Sequence, residues 1–162
     1  MYALLLAKLD GIITQKNLIN IALGALLHDL GMSTMTFNTE TESELNPNQY
    51  KELRSHPELS KRLMESTRSI PWEARTIALQ HHEQPNGMGY PNGLHDKEIF
   101  RPAKIVAIAD SFSALTSVRP YRDHPYTAIE ALEIMTEDKG HYDQDILAKF
   151  KKLFIKTESK AA

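Results

Sequence analysis

The stretch LINIALGALLHDL, residues 18–30, decides the fold. Its apolar residues recur at helical rather than alternating spacing, so it predicts an α-helix. It is apolar nearly all round, which predicts a helix buried in a core. It is too short to cross a bilayer and contains Asn20. At its end stand His28 and Asp29, two polar groups directly attached to a run that has every reason to be buried.

Working outward, the punctuation stays helical. Residues 4–9 read as a preceding helix, Asn46-Pro47 opens another segment, and Ser55 with Glu58 has capping-box spacing before Leu63 and Met64. Pro71 opens a helix to His82, Pro102 one to about Ser117, and Pro125 one that Gly140 ends. Asp143 caps a last amphipathic helix carrying Ile146, Leu147, Phe150, Leu153 and Phe154. Two long irregular stretches remain, residues 33–45 and 83–100, the second rich in turn formers. Connections of that length inside a compact domain are usually functional or disordered. The expectation is an all-α single domain over residues 1–155 with a polar tail over 156–162; an apolar helix starting at Met1 suggests that one or more helices precede it in a parent protein.

Composition narrows the function. The 162 residues carry a net charge of -2, which excludes the broad basic surface that duplex nucleic acid requires. The absence of Cys rules out disulfides and thiolate metal sites, and no targeting or membrane segment is evident. A cytoplasmic protein without membrane contact is expected.

Six polar residues are oddly placed: His28, His56, His81, His82, Asp29 and Asp110 all lie in or beside apolar helical segments. Asp110 follows IVAIA, and neither it nor Asp29 has a Lys or Arg at helical spacing on the apolar face. An unpaired buried carboxylate costs several kcal/mol, so each calls for a cation beside it. Asp110, Ser113 and Ser117 form a narrow polar stripe expected to face inward. Singly, each piece has an ordinary explanation: a hydrogen-bonded core pair, a solvated helix tip, a helix-start residue. Together, four imidazoles and two carboxylates exceed the needs of one tetrahedral ion, and the nitrogen and oxygen set suits Fe, Mn or Zn. Two or more divalent ions are expected. His95, His124 and His141 fall in loops and read as surface residues.

LLHDLG, SHPEL, HHEQPNGMGYPNGL, IVAIADSFSAL, SVRPYR and GHYD, in this order, resemble the HD-GYP family, a branch of the HD metal-dependent phosphohydrolases, from about Leu18 to Phe150. The resemblance implies an HD-type helical bundle with a long GYP loop, and hydrolysis of cyclic di-GMP to pGpG or GMP in bacterial signalling. It makes His28, Asp29, His56, His81, His82 and Asp110 ligands of two or more ions, Fe or Mn first and Zn, Ni or others as alternatives. Asp29 and Asp110 are then catalytic, and Gly87, Gly89, Tyr90, Pro91, Arg119 and Arg122 bind substrate. RPYR reads equally as a solvated helix exit.

Four departures stand out against the family pattern. Met32 replaces the Lys of HDxGK, Ser113 the Asp of the DAL triplet, Asn86 the Asp before GxGYP, and no His precedes His28. A missing phosphate cation or base costs about 10²-fold or more in rate. The alternative function is therefore a catalytically weakened module that binds a cyclic dinucleotide or a GGDEF-type partner, with a homodimer also conceivable; hydrolysis of another cyclic dinucleotide is a third reading.

Overall fold

The structure is a computed structural model that describes residues 1–37, 44–119, 122 and 124–158, with side chains as far as Phe154. Among the described residues eight α-helices follow one another: α1 Tyr2–Leu9, α2 Gln15–Leu27, α3 Pro47–Leu53, α4 His56–Glu65, α5 Trp72–Gln80, α6 Arg101–Thr116, α7 Ala128–Glu137 and α8 Gln144–Glu158. Short 3-10 turns occupy Leu30–Thr34 and Asp96–Glu98. Among the described residues there is no strand, only the isolated bridges Asn86–His95 and Arg119–Arg122, so the all-α expectation holds. No described helix is long and apolar enough to cross a membrane. Residues 159–162, the end of the expected polar tail, lie outside the described residues, while α8 itself reaches Glu158.

Local chemistry explains the helix starts. Thr14 accepts the Asn17 amide at 3.3 Å to open α2, and Asn46 with Gln49 forms a reciprocal capping box on α3. Asp143 accepts the Ile146 amide at 3.1 Å at the head of α8. Two expected starts are corrected. Ser55 adopts helical backbone angles and its hydroxyl donates to the Glu52 carbonyl, so no capping box with Glu58 forms. Thr127 and Glu130, not Pro125, make the box that opens α7, because a hydroxyl and a carboxylate satisfy two free amides and a proline satisfies none.

The axis of the domain is α6, whose Ile105, Val106, Ile108, Ala109 and Phe112 are buried beneath α1, α2, α5, α7 and α8. Tyr2, Phe112 and Phe150 lock the end of this core edge-to-face, with centroids 5.0 Å apart for Tyr2–Phe112 and Phe112–Phe150. A second, smaller cluster of Met64, Ala74 and Ala78 packs with Leu23 and Leu27 and joins α2, α4 and α5. Gly24 makes this possible, since a Cβ there would fall 2.8 Å from Ile77. The helix read as buried all round is not: in α2 only Asn20, Ile21 and Gly24 are buried, and Leu26 is 78% exposed. Its partners cover one face only, whereas the sequence records how apolar a residue is and not which side is covered. Ser113 and Ser117 likewise face solvent instead of the interior.

Candidate metal centre

Three helix ends meet above the smaller cluster. His28 follows the last turn of α2, His56 starts α4, and His81 with His82 follows α5. The close approach of the Leu30–Thr34 turn to α4 depends on Gly31. A Cβ there would meet the His56 carbonyl oxygen at 2.3 Å and the Ser60 amide nitrogen at 2.7 Å, so only glycine lets the Leu30–Thr34 turn lie against α4. The Gly31 amide donates to the buried Ser60 hydroxyl at 2.8 Å, fixing the contact.

Three imidazoles are oriented in the same way. Nδ1 of His28 lies 2.9 Å from the Ala25 carbonyl, that of His56 2.7 Å from Leu53, and that of His81 2.8 Å from Ala78. A carbonyl can only accept, so each Nδ1 carries a proton and each ring turns its Nε2 into the site. There the acceptors crowd. Nε2 of His56 is 3.2 Å from Nε2 of His81 and 3.2 Å from Oδ1 of Asp29, which is 3.5 Å from Nε2 of His81. Nε2 of His28 lies 3.3 Å from Asp29 and 3.5 Å from Asp110, and has no hydrogen-bond partner in the site. One ligand atom from each of Asp29, His56, His81 and His82 lies within 4.8 Å of every other.

Lone pairs and a carboxylate facing one another at such distances repel unless a cation stands among them. The donor set, imidazole and carboxylate without thiolate, therefore fits a divalent transition metal. Electrostatics agree. Burial opposes a charge on His28, but Asp110 and Asp29 outweigh it and push the ring up to about 10. Burial also disfavours the Asp29 anion, yet His28, His56 and His81 together hold its carboxyl far below the usual range. Burial drives His81 down, and His82 falls to about 2 through burial with His81 and His56 beside it. The carboxylates thus favour a proton on His28, while burial keeps His81 and His82 neutral, the form that binds a cation.

Of the six expected ligands, Asp29, His56, His81 and His82 bring ligand atoms together, His28 adjoins them through Asp29, and Asp110 adjoins His28. Their burial differs from expectation. The carboxylates are not deeply buried: the side chains of Asp29 and Asp110 are 44% and 33% accessible, while His56 and His81 are sealed at 2% and 0%. The imidazoles form the floor and the carboxylates the open rim.

The long loop arches over this rim. Tyr90 stacks on His82 with centroids 4.7 Å apart, and its amide donates to the His82 carbonyl at 3.1 Å. The Tyr90–Pro91 bond is cis. Gly89 is required, because a Cβ would sit 2.4 Å from the Gln84 amide nitrogen, and Gly87 has φ of 78°. Asn86 accepts the Met88 amide at 2.9 Å, a turn that an amide side chain makes as well as the Asp it replaces. Burial pushes the Tyr90 hydroxyl above its ordinary value.

Sequence reading overlooked two groups in this loop system. Glu83 is 3% exposed, and its carboxylate takes the amides of Asn92 at 2.7 Å and Leu94 at 2.9 Å. A carboxylate at the head of a loop rich in Gly and Asn was the available signal. Arg54 lies over the outer face of Tyr90 at 4.7 Å, and the break between α3 and α4 hid it from any periodicity. Of the two expected phosphate-binding arginines, Arg122 donates to the Leu115 carbonyl at 2.6 Å and covers Tyr126 at 4.6 Å, which is a helix-exit role. The Arg119 Nε is buried without a hydrogen-bond partner. His95 and His124 are exposed, as read; His141 is half-buried and pairs with Asp138 at 2.8 Å.

The sequence pattern of the HD domain matches residues 3–146. The chain is 33% identical over 131 residues to the cyclic di-GMP phosphodiesterase PA4108 of Pseudomonas aeruginosa, covering 80% of this chain and 31% of that protein. It is 37% identical over 103 residues to 3'3'-cGAMP-specific phosphodiesterase 1 of Vibrio cholerae, covering 62% and 23%. The chain thus spans about a third or less of these relatives' length. Its fold is similar to that of Bd1817, an HDG"Y"P protein from Bdellovibrio bacteriovorus, with a TM-score of 0.76 and 24% identity over 91% of this chain and 47% of that one.

Proposed function

The chain belongs to the HD domain family, and on that premise we propose that it is a metal-dependent phosphodiesterase opening cyclic di-GMP to pGpG or GMP. The observation that carries the reading is the crowding of ligand atoms, with Nε2 of His56 3.2 Å from both Nε2 of His81 and Oδ1 of Asp29. His28, Asp29, His56, His81, His82 and Asp110 would hold two or more ions, Fe or Mn first. Such ions supply a water made nucleophilic at neutral pH and a clamp on the phosphoryl oxygens.

The chain's own residues do the rest. His56 and His81 exclude water from the floor, being buried, while the accessible oxygens of Asp29 and Asp110 face the solvent from which substrate enters. Gly87, Gly89, Tyr90 and Pro91 hold the loop at the mouth, and Arg119 would offer its guanidinium to a substrate phosphate. Arg122 donates to the Leu115 carbonyl at the end of α6. The same reading puts the protein in the cytoplasm, with a GGDEF-type cyclase and a second copy of the chain as partners.

One specific observation favours a second reading. Met32 carries no cation, and Ser113 is an exposed hydroxyl one turn after Asp110, so a phosphate contact and a proton carrier are both missing from the rim. A weakened module that binds the dinucleotide and regulates a partner follows from that loss.

Anaerobic loading with Mn, Fe or Zn, metal analysis and chromatography of cyclic di-GMP reactions separate the two. Two or more bound ions with pGpG or GMP as product are expected for the phosphodiesterase. Bound metal without product under every loading overturns it, and micromolar binding without turnover establishes the regulator.

A further inference from the structure

Beside the metal centre, where α3 ends and α4 begins, the surface sinks into a groove of about 230 Å³ lined by Lys51, Arg54, Ser55, Glu58, Tyr90 and Pro91. Three planar groups lead to it from the centre. His82 stacks on Tyr90 at 4.7 Å and 23°, and the Arg54 guanidinium covers the opposite face of the same system at 4.7 Å from the Tyr90 centroid. Lys51, one turn before Arg54, and Glu58, four residues after it, are exposed, and among the described residues neither engages in an ion pair or a side-chain hydrogen bond. Glu58 is the residue whose spacing suggested a cap. Since Ser55 turns its hydroxyl to the Glu52 carbonyl, the Glu58 carboxylate is left to the groove.

Two cations and a carboxylate around one groove are not what a bare phosphate requires, because the carboxylate opposes it. They match a planar group with an acceptor edge on one side and a donor edge on the other. Among nucleobases guanine has this pattern: O6 and N7 accept from Arg or Lys, while N1–H and the 2-amino group donate to a carboxylate. Adenine has an amino group where guanine has O6, and nothing to donate at C2.

We infer that this groove reads a guanine of the substrate, with Lys51 and Arg54 on its O6 and N7 edge and Glu58 on its N1 and 2-amino edge. The inference rests on the proposed cyclic dinucleotide reading and supplies its base specificity.

The test is calorimetric titration of the metal-loaded chain with phosphorothioate analogues of cyclic di-GMP and cyclic di-AMP, which resist cleavage. Wild type is expected to prefer the guanine ligand by at least about tenfold, the lower range for a bidentate base contact. Glu58→Gln and, as a second variant, Glu58→Ala are expected to reduce that preference about tenfold by weakening the guanine ligand. Lys51→Ala combined with Arg54→Ala is expected to lower guanine-ligand affinity at least tenfold. Equal affinity for both ligands in wild type, an unchanged preference in both Glu58 variants, or binding of neither ligand overturns the inference. Chromatography of authentic cyclic di-GMP run in parallel keeps the two questions apart. Guanine-selective binding without hydrolysis removes the phosphodiesterase and leaves the groove; hydrolysis with an unchanged preference removes the groove and leaves the phosphodiesterase.

Discussion

Two places in this molecule gather charged and titratable side chains from distant parts of the chain, and they are built on opposite principles. Where α1, α6 and α8 meet, Asp10, 1% exposed at its side chain, receives two cations: Arg101, by a close double hydrogen bond, and Lys149 at 2.9 Å, while Asp145 takes Arg101 at 3.0 Å and Lys149 at 2.7 Å. Every charge there has its opposite. At the metal centre, imidazole lone pairs and carboxylates face one another with no Lys or Arg among the groups that converge. The first cluster is complete as folded and stabilises the helix contacts. The second is complete only with a cation from solution, and a site of that kind has chemistry to offer.

The largest break in this contrast is expected from His81→Ala. It removes a fully buried donor, and metal content and cyclic di-GMP turnover should fall at least about 10²-fold, read by elemental analysis and product chromatography. Next comes Gly31→Ala. Its Cβ meets backbone atoms of α4 that cannot yield, so a loss of about 3 kcal/mol in urea unfolding is expected together with loss of metal, since the Leu30–Thr34 turn and α4 are forced apart. Chelation of the wild-type protein should lower stability by about 2.7 kcal/mol relative to free metal at about a hundred times its dissociation constant, because the ion binds only the folded arrangement.

Asp10→Asn probes the complete cluster, and about 1–2 kcal/mol should be lost with metal content unchanged. Its pH dependence has a definite sign. Burial raises the Asp10 pKa, but Arg101 and Lys149 outweigh that and hold it below its ordinary value. The stabilisation is therefore present above the unfolded carboxyl value of about 3.9 and is lost as pH falls through the lower folded one, so wild type and Asp10→Asn should converge in acid melts. The smallest effect belongs to the exposed Lys61–Glu65 pair at 3.1 Å, where Lys61→Ala should cost about 0.3–0.5 kcal/mol and vanish in high salt.

Most of the helical architecture was legible in the sequence because apolar periodicity and cap residues are local signals. The boundaries that slipped did so for local reasons too, as when Ser55 bonded back to Glu52 instead of forward to its helix. The six candidate ligands were legible because polar groups attached to apolar runs demand an explanation. Glu83, Arg54 and Ser60 were not, since their roles lie in hydrogen bonds and stacking across helices or around a loop. The inward stripe through Ser113 and the fully buried α2 failed for one shared reason: which face of a helix is covered depends on where its neighbours lie.

By itself, then, the sequence determined the helical class, the donor chemistry of the centre and the exclusion of thiolate ligation, because these follow from residue type and spacing. Tertiary structure alone decided that the imidazoles form the floor and the carboxylates the rim, that Arg122 holds a helix end, and that Glu58 lies in a groove with Lys51 and Arg54. Accessibility and mutual distance are properties of packed helices in three dimensions, and no linear spacing encodes which groups are left facing one another without a partner.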